Sequence, residues 1–162
     1  DGTDELCTEA QTVSMGENGG SPAMDKLDEL LDKLKGGKPE ILLMSRRSRR
    51  KLNALSRGSG GILESDRNNL GQFVQYYNGI PIGVNDWIAD DKTVGTASDC
   101  STIYAVQFGE GALAGLTAPG GLQVERVGSL EVKDATRTRV KWYVSLALFN
   151  NLKLVKLIGV RD

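Results

Sequence analysis

Hydrophobic and polar positions change period several times along this chain, and each change marks an element. Met24, Leu27, Leu30, Leu31 and Leu34 recur at helical spacing, Pro22 suits a first helical turn, and Gly36-Gly37 stops the run. The spacing predicts an amphipathic helix over about 22–35, with Asp25, Asp28, Glu29 and Asp32 on its wet face. Ile41-Leu-Leu-Met44 is an unbroken apolar run after Pro39 and reads as a buried strand. Ser45 can cap a second helix over about 45–57, with Leu52 and Leu55 inside and a loop at Gly58, Gly60 and Gly61 after it.

Further on the period shortens. Phe73–Tyr77 reads as a strand, Asn78-Gly79 as a tight turn and Ile80–Val84 as the returning strand, in which Pro81 implies an edge or bulged position. Residues 89–100 read as polar loop, and Thr102–Phe108, apolar at most positions, as a central strand. Residues 109–121 hold five glycines and a proline, which predicts irregular structure. From Thr138 to Phe149, Val140, Trp142, Val144, Leu146 and Leu148 alternate with Arg139, Lys141, Tyr143 and Ser145, predicting one long half-buried strand. Asn150-Asn151 ends it, and Leu154–Ile158 supplies a last strand; residues 1–23 read as an extended or irregular lead-in and a loop. The sum is an α+β chain: a mixed sheet, flanking helices and a long strand reaching beyond the sheet.

Composition narrows the chemistry. The 162 residues suffice for a real core, and 20 Lys and Arg against 21 Asp and Glu leave a net charge of −1, which counts against a protein built to hold a duplex by its phosphates. There is no histidine, which excludes Ser/His and Cys/His nucleophilic sites and removes the commonest zinc ligand. Cys7 and Cys100 are far apart and form no CxxC, so a thiolate zinc site is excluded, while a disulfide stays open as a minor alternative. No apolar run approaches the roughly 18 residues of a membrane span. These features predict no enzyme, no metal and no cofactor, in a chain assembled inside a cell. A start at Asp1 instead of Met suggests a piece of a longer polypeptide or a processed one.

Three motifs invite sharper readings. Gly109-Glu-Gly111-Ala-Leu-Ala-Gly115 has the look of a dinucleotide loop, but Pro119 and Gly120-Gly121 leave no room for the helix that would receive a pyrophosphate, so a surface loop is expected. Asp90-Asp91 has no third ligand at suggestive spacing, and the acids of the first helix read as a solvated face. The third motif is Arg46, Arg47, Arg49, Arg50 and Lys51, five cations in six positions. On a helix from Ser45, Arg46, Arg49, Arg50 and Asn53 share a face that Arg47 and Lys51 flank. A solvated face is the default; salt bridges between subunits come next and nucleic acid is the weakest reading.

The order of segments also carries a resemblance. Leu27-Asp-Glu-Leu-Leu-Asp, Gly37-Lys-Pro-Glu-Ile-Leu-Leu-Met-Ser-Arg-Arg-Ser-Arg-Arg, Tyr77-Asn-Gly-Ile-Pro-Ile, Ser101-Thr-Ile-Tyr-Ala-Val-Gln-Phe-Gly and Arg139-Val-Lys-Trp-Tyr-Val-Ser-Leu-Ala together resemble a tailed-phage major capsid protein of the Hong Kong 97 fold, which encapsulin shells share. The resemblance implies a structural subunit of an icosahedral phage or prophage capsid. It would self-assemble into pentamers and hexamers around packaged DNA in the host cytoplasm, without a membrane or sequence-specific DNA contacts. Scaffold, portal and decoration proteins are further candidate partners. It implies an axial core over 22–126, peripheral elements at 1–21 and 127–149, and a return strand over 150–162. The chain would match about the second half of such a protein, without its arm, extended loop and spine helix. Arg46, Arg47, Arg49, Arg50 and Lys51 become candidate subunit-interface residues. An encapsulin-like compartment and a nucleic-acid-binding module using 46–51 are the alternatives.

Overall fold

Unbroken apolar runs become strands with both faces covered. In the computed structural model, which describes residues 5–61, 63–68, 71–129 and 134–161, the chain divides into two compact units, Asp1–Leu113 with Leu148–Asp162 and Ala114–Ala147. Residues 1–4 and 130–133, in the expected peripheral elements, 62, 69 and 70 in the expected axial core, and 162 in the return strand lie outside the described residues.

The first unit is built on a mixed sheet. Its strands are β1 (Thr12–Ser14), β2 (Ile41–Met44), β3 (Glu64–Arg67), β4 (Phe73–Tyr77), β5 (Ile80–Val84), β6 (Lys92–Val94), β7 (Ala97–Val106) and, after the second unit's strands, β12 (Leu154–Val160). Among the described residues the order is β1-β12-β7-β2-β5-β4-β3, with β6 pairing β7 to the side. The pairs β1/β12 and β2/β5 are parallel and the others antiparallel. Period-two geometry then sorts the side chains. Leu42, Met44, Ile103, Ala105, Val155 and Leu157 enter one buried cluster with Leu27 and Leu30 of α1 (Met24–Lys33), Leu34 at its C-cap and Leu52 of α2 (Arg46–Gly58). Their neighbours Ile41, Leu43, Tyr104, Val106 and Leu154 fill a second cluster with Ile88 and Leu113. Each of these strands thus serves two cores, which is why it shows no polar alternation.

Several expectations need correction. Pro81 lies in β5, an interior strand of this order, not at an edge or bulge. In the hairpin closed by Asn78 (φ 51°) and Gly79 (φ 75°), Tyr77 and Ile80 form the first pair. Pro81 therefore turns its nitrogen toward β2, whose register with β5 begins only at Leu42↔Ile82, so no hydrogen bond is lost. The polar stretch 89–100 is not loop throughout: it holds β6, the tight turn at Gly95-Thr96 and the start of β7. On α2 the buried stripe is Ser48, Leu52 and Ser56, and Leu55 is only partly covered.

The second unit carries β8 (Leu113–Thr117, begun in the first unit), β9 (Gln123–Ser129), β10 (Thr136–Lys141) and β11 (Val144–Leu148). β10 pairs antiparallel with β9 through a register shift at Arg137/Thr138, and β11 pairs with β8. The expected single strand over 138–149 is thus two strands with different partners, parted at Trp142-Tyr143, where Ala118 N–H bonds the Tyr143 carbonyl at 3.1 Å. The alternation of residues runs through the break without a change of phase, so the pattern could not reveal it. Nor is the strand half-buried: the apolar Val140, Trp142, Val144 and Leu146 are exposed, as are Arg137, Arg139 and Tyr143. The glycine-rich 109–121 likewise holds β8 instead of irregular chain throughout.

Candidate functional site

At the C-terminal end of β2 the chain turns into α2 at Ser45, whose extended backbone (φ −72°, ψ 164°) lets its Oγ accept from Ser48 N–H at 3.2 Å. The same Oγ accepts from the Ser101 hydroxyl and donates to the Ser48 hydroxyl, each at 3.3 Å, so a fully buried trio of serines is satisfied from within. With that cap the first turn of α2 is fixed, and it aims successive arginines in different directions.

Arg46 reaches back to Asp86, on the loop after β5, with Nε–Oδ1 at 2.5 Å and Nη2–Oδ2 at 2.6 Å. Arg47 lies down between the loop after β5 and the start of β7 with its side chain 19% exposed: Nη2 donates to the Asp99 carbonyl at 2.5 Å, and Nε sits 3.6 Å from Asp90 Oδ1. That carboxylate oxygen is buried without a hydrogen bond of its own, so Arg47 supplies its counter-charge. Arg49 projects into solvent and has no partner within the chain among the described residues; Arg50 is also exposed and Lys51 half-buried. Asn53, expected on the wet face, accepts from Gln75 Nε2 at 2.8 Å and ties α2 to β4.

The five cations therefore do not act as one patch. Arg46 and Arg47 are held by carboxylates and a carbonyl of their own chain, which take up donors that a phosphate would otherwise need. A hollow of about 290 Å³ lined by Ser45, Arg46, Asp86, Ile88 and Asp90 remains beside them. Among the described residues no group of three or more His, Cys, Asp or Glu is placed to hold a metal, and Cys7 and Cys100 are not joined in a disulfide.

Sequence reasoning missed the most exposed large side chain of this region. Trp87 is 91% exposed, yet its backbone is fixed: its N–H bonds Asn85 Oδ1 at 3.0 Å, Asn85 N–H bonds the Met44 carbonyl at 3.0 Å, and Ile88 next to it is buried. A tryptophan inside the polar run Asn85-Asp86-Trp87 was the available signal. At the opposite end of the parallel pair β2/β5 lies a groove of about 600 Å³, with Leu31, Leu34, Pro39 and Ile80 as its apolar lining and Asp32 and Lys38 at its side.

The acidic face of α1 is also partly used internally. Asp28 Oδ1 accepts from the Tyr77 hydroxyl at 2.6 Å, and burial together with this carboxylate pushes the Tyr77 hydroxyl well above its ordinary pKa. Lys26 pairs with Glu29 at 2.7 Å, which raises the lysine pKa. Asp25 and Asp32 remain exposed.

No protein-family model matches the sequence, and no curated protein matches it. Solved structures do. The chain superimposes on a subunit of the holo-SrpI encapsulin complex from Synechococcus elongatus PCC 7942 with a TM-score of 0.78 and 22% identity, over 96% of this chain and 55% of that one. A second match is the capsid of an empty GTA particle, with a TM-score of 0.53 and 14% identity over 92% of this chain and 49% of that one. This chain spans about half the length of both. The fold is the Hong Kong 97 fold of capsid shells and encapsulins, as the order of segments implied.

Proposed function

We propose that this chain is part of a structural subunit of a closed, self-assembling protein shell, whose partners are other copies of itself and which performs no catalysis. The observation that carries this reading is the superposition of 96% of the chain on an encapsulin subunit at a TM-score of 0.78. The start of α2 is built as a structural joint: Ser45, Ser48 and Ser101 bond one another and Arg46 pairs with Asp86. A nucleic-acid module built on 46–51 is disfavoured, because Arg46 and Arg47 are already engaged by their own chain.

Two kinds of shell fit. The higher likeness to the Synechococcus encapsulin favours a compartment that holds protein cargo. The likeness to the GTA capsid, together with the segment resemblance to phage capsid proteins, favours a virion shell around DNA, assembled in a host cytoplasm with scaffold or portal proteins. Sedimentation and electron microscopy of the polypeptide carrying this sequence, isolated from its own cells, test the reading. The expected result is closed particles of one repeated subunit, and the content of those particles, protein or nucleic acid, separates the two kinds. Recovery only as small species would overturn it.

A further inference from the structure

Two open sheet edges of this chain carry opposite charges at the same period. β3 ends the strand order of the first unit, and each of its four residues is exposed. Its ladder sets Glu64 opposite Tyr76 and Asp66 opposite Val74, so both acids stand on one face. The tight turn after β4 points the backbone of Tyr77 at β5 and that of Tyr76 at β3, and Asn68 N–H bonds the Gln72 carbonyl in step with this. Glu64 and Asp66 therefore direct their N–H and C=O to β4, while Ser65 and Arg67 turn theirs outward, where no strand among the described residues receives them.

β10 is the counterpart. It pairs with β9 on one side, and nothing among the described residues pairs with its other edge. The extra residue of the register shift lies on β9, between Arg126 and Gly128, so β10 has neither bulge nor proline to block a further strand. Arg137, Arg139 and Lys141 share one face of it. Glu125 bonds Lys141 at 2.7 Å and lies opposite Arg139, whereas Arg137 lies opposite Gly128, so the face keeps three cations against one acid. A two-stranded ribbon is marginal alone and gains from a third strand.

The charges choose the occupant. A strand added to β10 is favoured by acids opposite its arginines and by Ser or Thr opposite its threonines. Among the described strands β3 alone has two acids at alternate positions. Set antiparallel with Asp66 opposite Arg137, it also brings Glu64 opposite Arg139 and Ser65 opposite Thr138, because the charges on both strands stand two residues, about 7 Å, apart. Arg67 falls on the other face opposite Thr136, and its guanidinium already lies 4.7 Å from the Phe73 ring centre. β3 and β10 do not pair with each other within the chain, so the match is offered to a second copy, as a head-to-tail contact that repeats.

We infer that β3 of one copy adds antiparallel to the open edge of β10 of the next, with Asp66 facing Arg137 and Glu64 facing Arg139. This rests on the shell reading and specifies one of its subunit contacts. The test is sedimentation velocity of the 162-residue chain over a concentration series, in low and in high salt. The wild-type chain should pass beyond the dimer as concentration rises, and should associate less in high salt. Asp66→Lys and Arg137→Glu each reverse one exposed charge that has no ion pair among the described residues, with circular dichroism to confirm folding. Each should weaken association about tenfold or more. An equimolar mixture of the two variants should return association to near the wild-type level, because every β3 then finds a β10 of opposite charge. Both substitutions in one chain should do the same.

A mixture that stays as weak as its parts overturns the contact. So does association that either reversal leaves unchanged, and so does a wild-type chain that stops at a dimer or stays monomeric throughout. The shell reading is judged separately by microscopy. Particles that take up Asp66→Lys subunits as readily as wild type sink the contact and leave the shell. Rescue by the mixture without any particle in the source cells sinks the shell and leaves the contact.

Discussion

Arg46 grips Asp86 through two parallel hydrogen bonds, at 2.5 and 2.6 Å, and so clamps the first turn of α2 to the loop that displays Trp87. Both side chains are more than half exposed, at 74% and 53%, so water competes for them and salt screens them. Arg47, one residue on, is mostly covered and serves a part-buried carbonyl and stands beside a buried carboxylate oxygen. Arg46→Ala should therefore cost about 0–1 kcal/mol. Arg47→Ala should cost about 1–3 kcal/mol, because it leaves a part-buried carbonyl unserved and a buried carboxylate oxygen without its counter-charge, and Arg49→Ala should leave the folding stability unchanged. Urea denaturation of the three variants checks the ranking; equal losses at all three would show that the cluster acts as one electrostatic unit.

Tyr77 gives the stability a dependence on alkaline pH. Its hydroxyl is buried and donates to Asp28, which together raise its pKa in the folded chain above the unfolded value of about 10. A group with a raised folded pKa contributes its full stabilisation below the unfolded pKa and loses it as pH rises through the folded one. Unfolding free energy should thus fall as pH climbs beyond about 10. Tyr77→Phe should be less stable at neutral pH by about 1.5 kcal/mol, the loss of a bond to a charged acceptor, and should show a shallower alkaline decline. At the acid end Glu125, held below the ordinary carboxylate range by its bond to Lys141, works with the opposite sign: its contribution is present at neutral pH and fades as pH falls through the lowered pKa. Parallel slopes for wild type and Tyr77→Phe above pH 10 would refute the assignment to Tyr77.

Most of the first unit was legible because burial imposed a period. α1, β2, α2 and the β4/β5 hairpin were marked by apolar spacing, by the Ser45 cap and by Asn78-Gly79, and all of them formed where the pattern put them. β3, with the sequence Glu-Ser-Asp-Arg, is exposed at every position and has no apolar residue to announce it. β6 and β8 were hidden by polar and glycine-rich sequence, since edge and short strands draw on backbone pairing more than on side-chain burial. At the site, the sequence located the arginines but could not divide them. Which arginine finds an acceptor depends on the Asp86 and Asp90 carboxylates and the Asp99 carbonyl, brought in from 40 or more residues away by the sheet.

Gly19 is a position where the fold leaves no room for a methyl group. Its φ of 70° is unfavourable for other residues, and a Cβ would stand 2.6 Å from the Gly159 carbonyl oxygen and 2.9 Å from Cys100 Sγ. Gly60 shares the positive φ, at 85°, but a Cβ there meets nothing within 4 Å. Gly60→Ala should cost about 1–2 kcal/mol, the left-handed penalty alone. Gly19→Ala should cost that and about 1–3 kcal/mol more for forcing the lead-in away from β12. Chemical denaturation of the two variants measures the difference directly. Equal losses would mean that the packing of residues 16–20 against β12 yields without resistance.

The exposed apolar residues of Ala114–Ala147 should contribute little to the stability of the isolated chain. Val124 and Val140 face each other across β9 and β10 yet stand 66% and 63% exposed, and Leu146 on β11 is 62% exposed. Side chains this open have made few of the contacts that burial would give, so polar replacements remove little that folding has gained. Leu157, at 0% exposure in the centre of β12, has made all of them. Val140→Thr and Leu146→Thr should each change the unfolding free energy by less than about 0.5 kcal/mol, while Leu157→Ala should lose about 2–5 kcal/mol. The two threonine variants should also bind less of a hydrophobic dye such as ANS and stay soluble at higher concentration, because contiguous exposed apolar surface drives non-specific association. Calorimetric melting beside a dye titration tests both halves. A loss above about 2 kcal/mol in either threonine variant would show that these side chains are packed within the chain. Unchanged dye binding would show that the accessible apolar surface lies elsewhere.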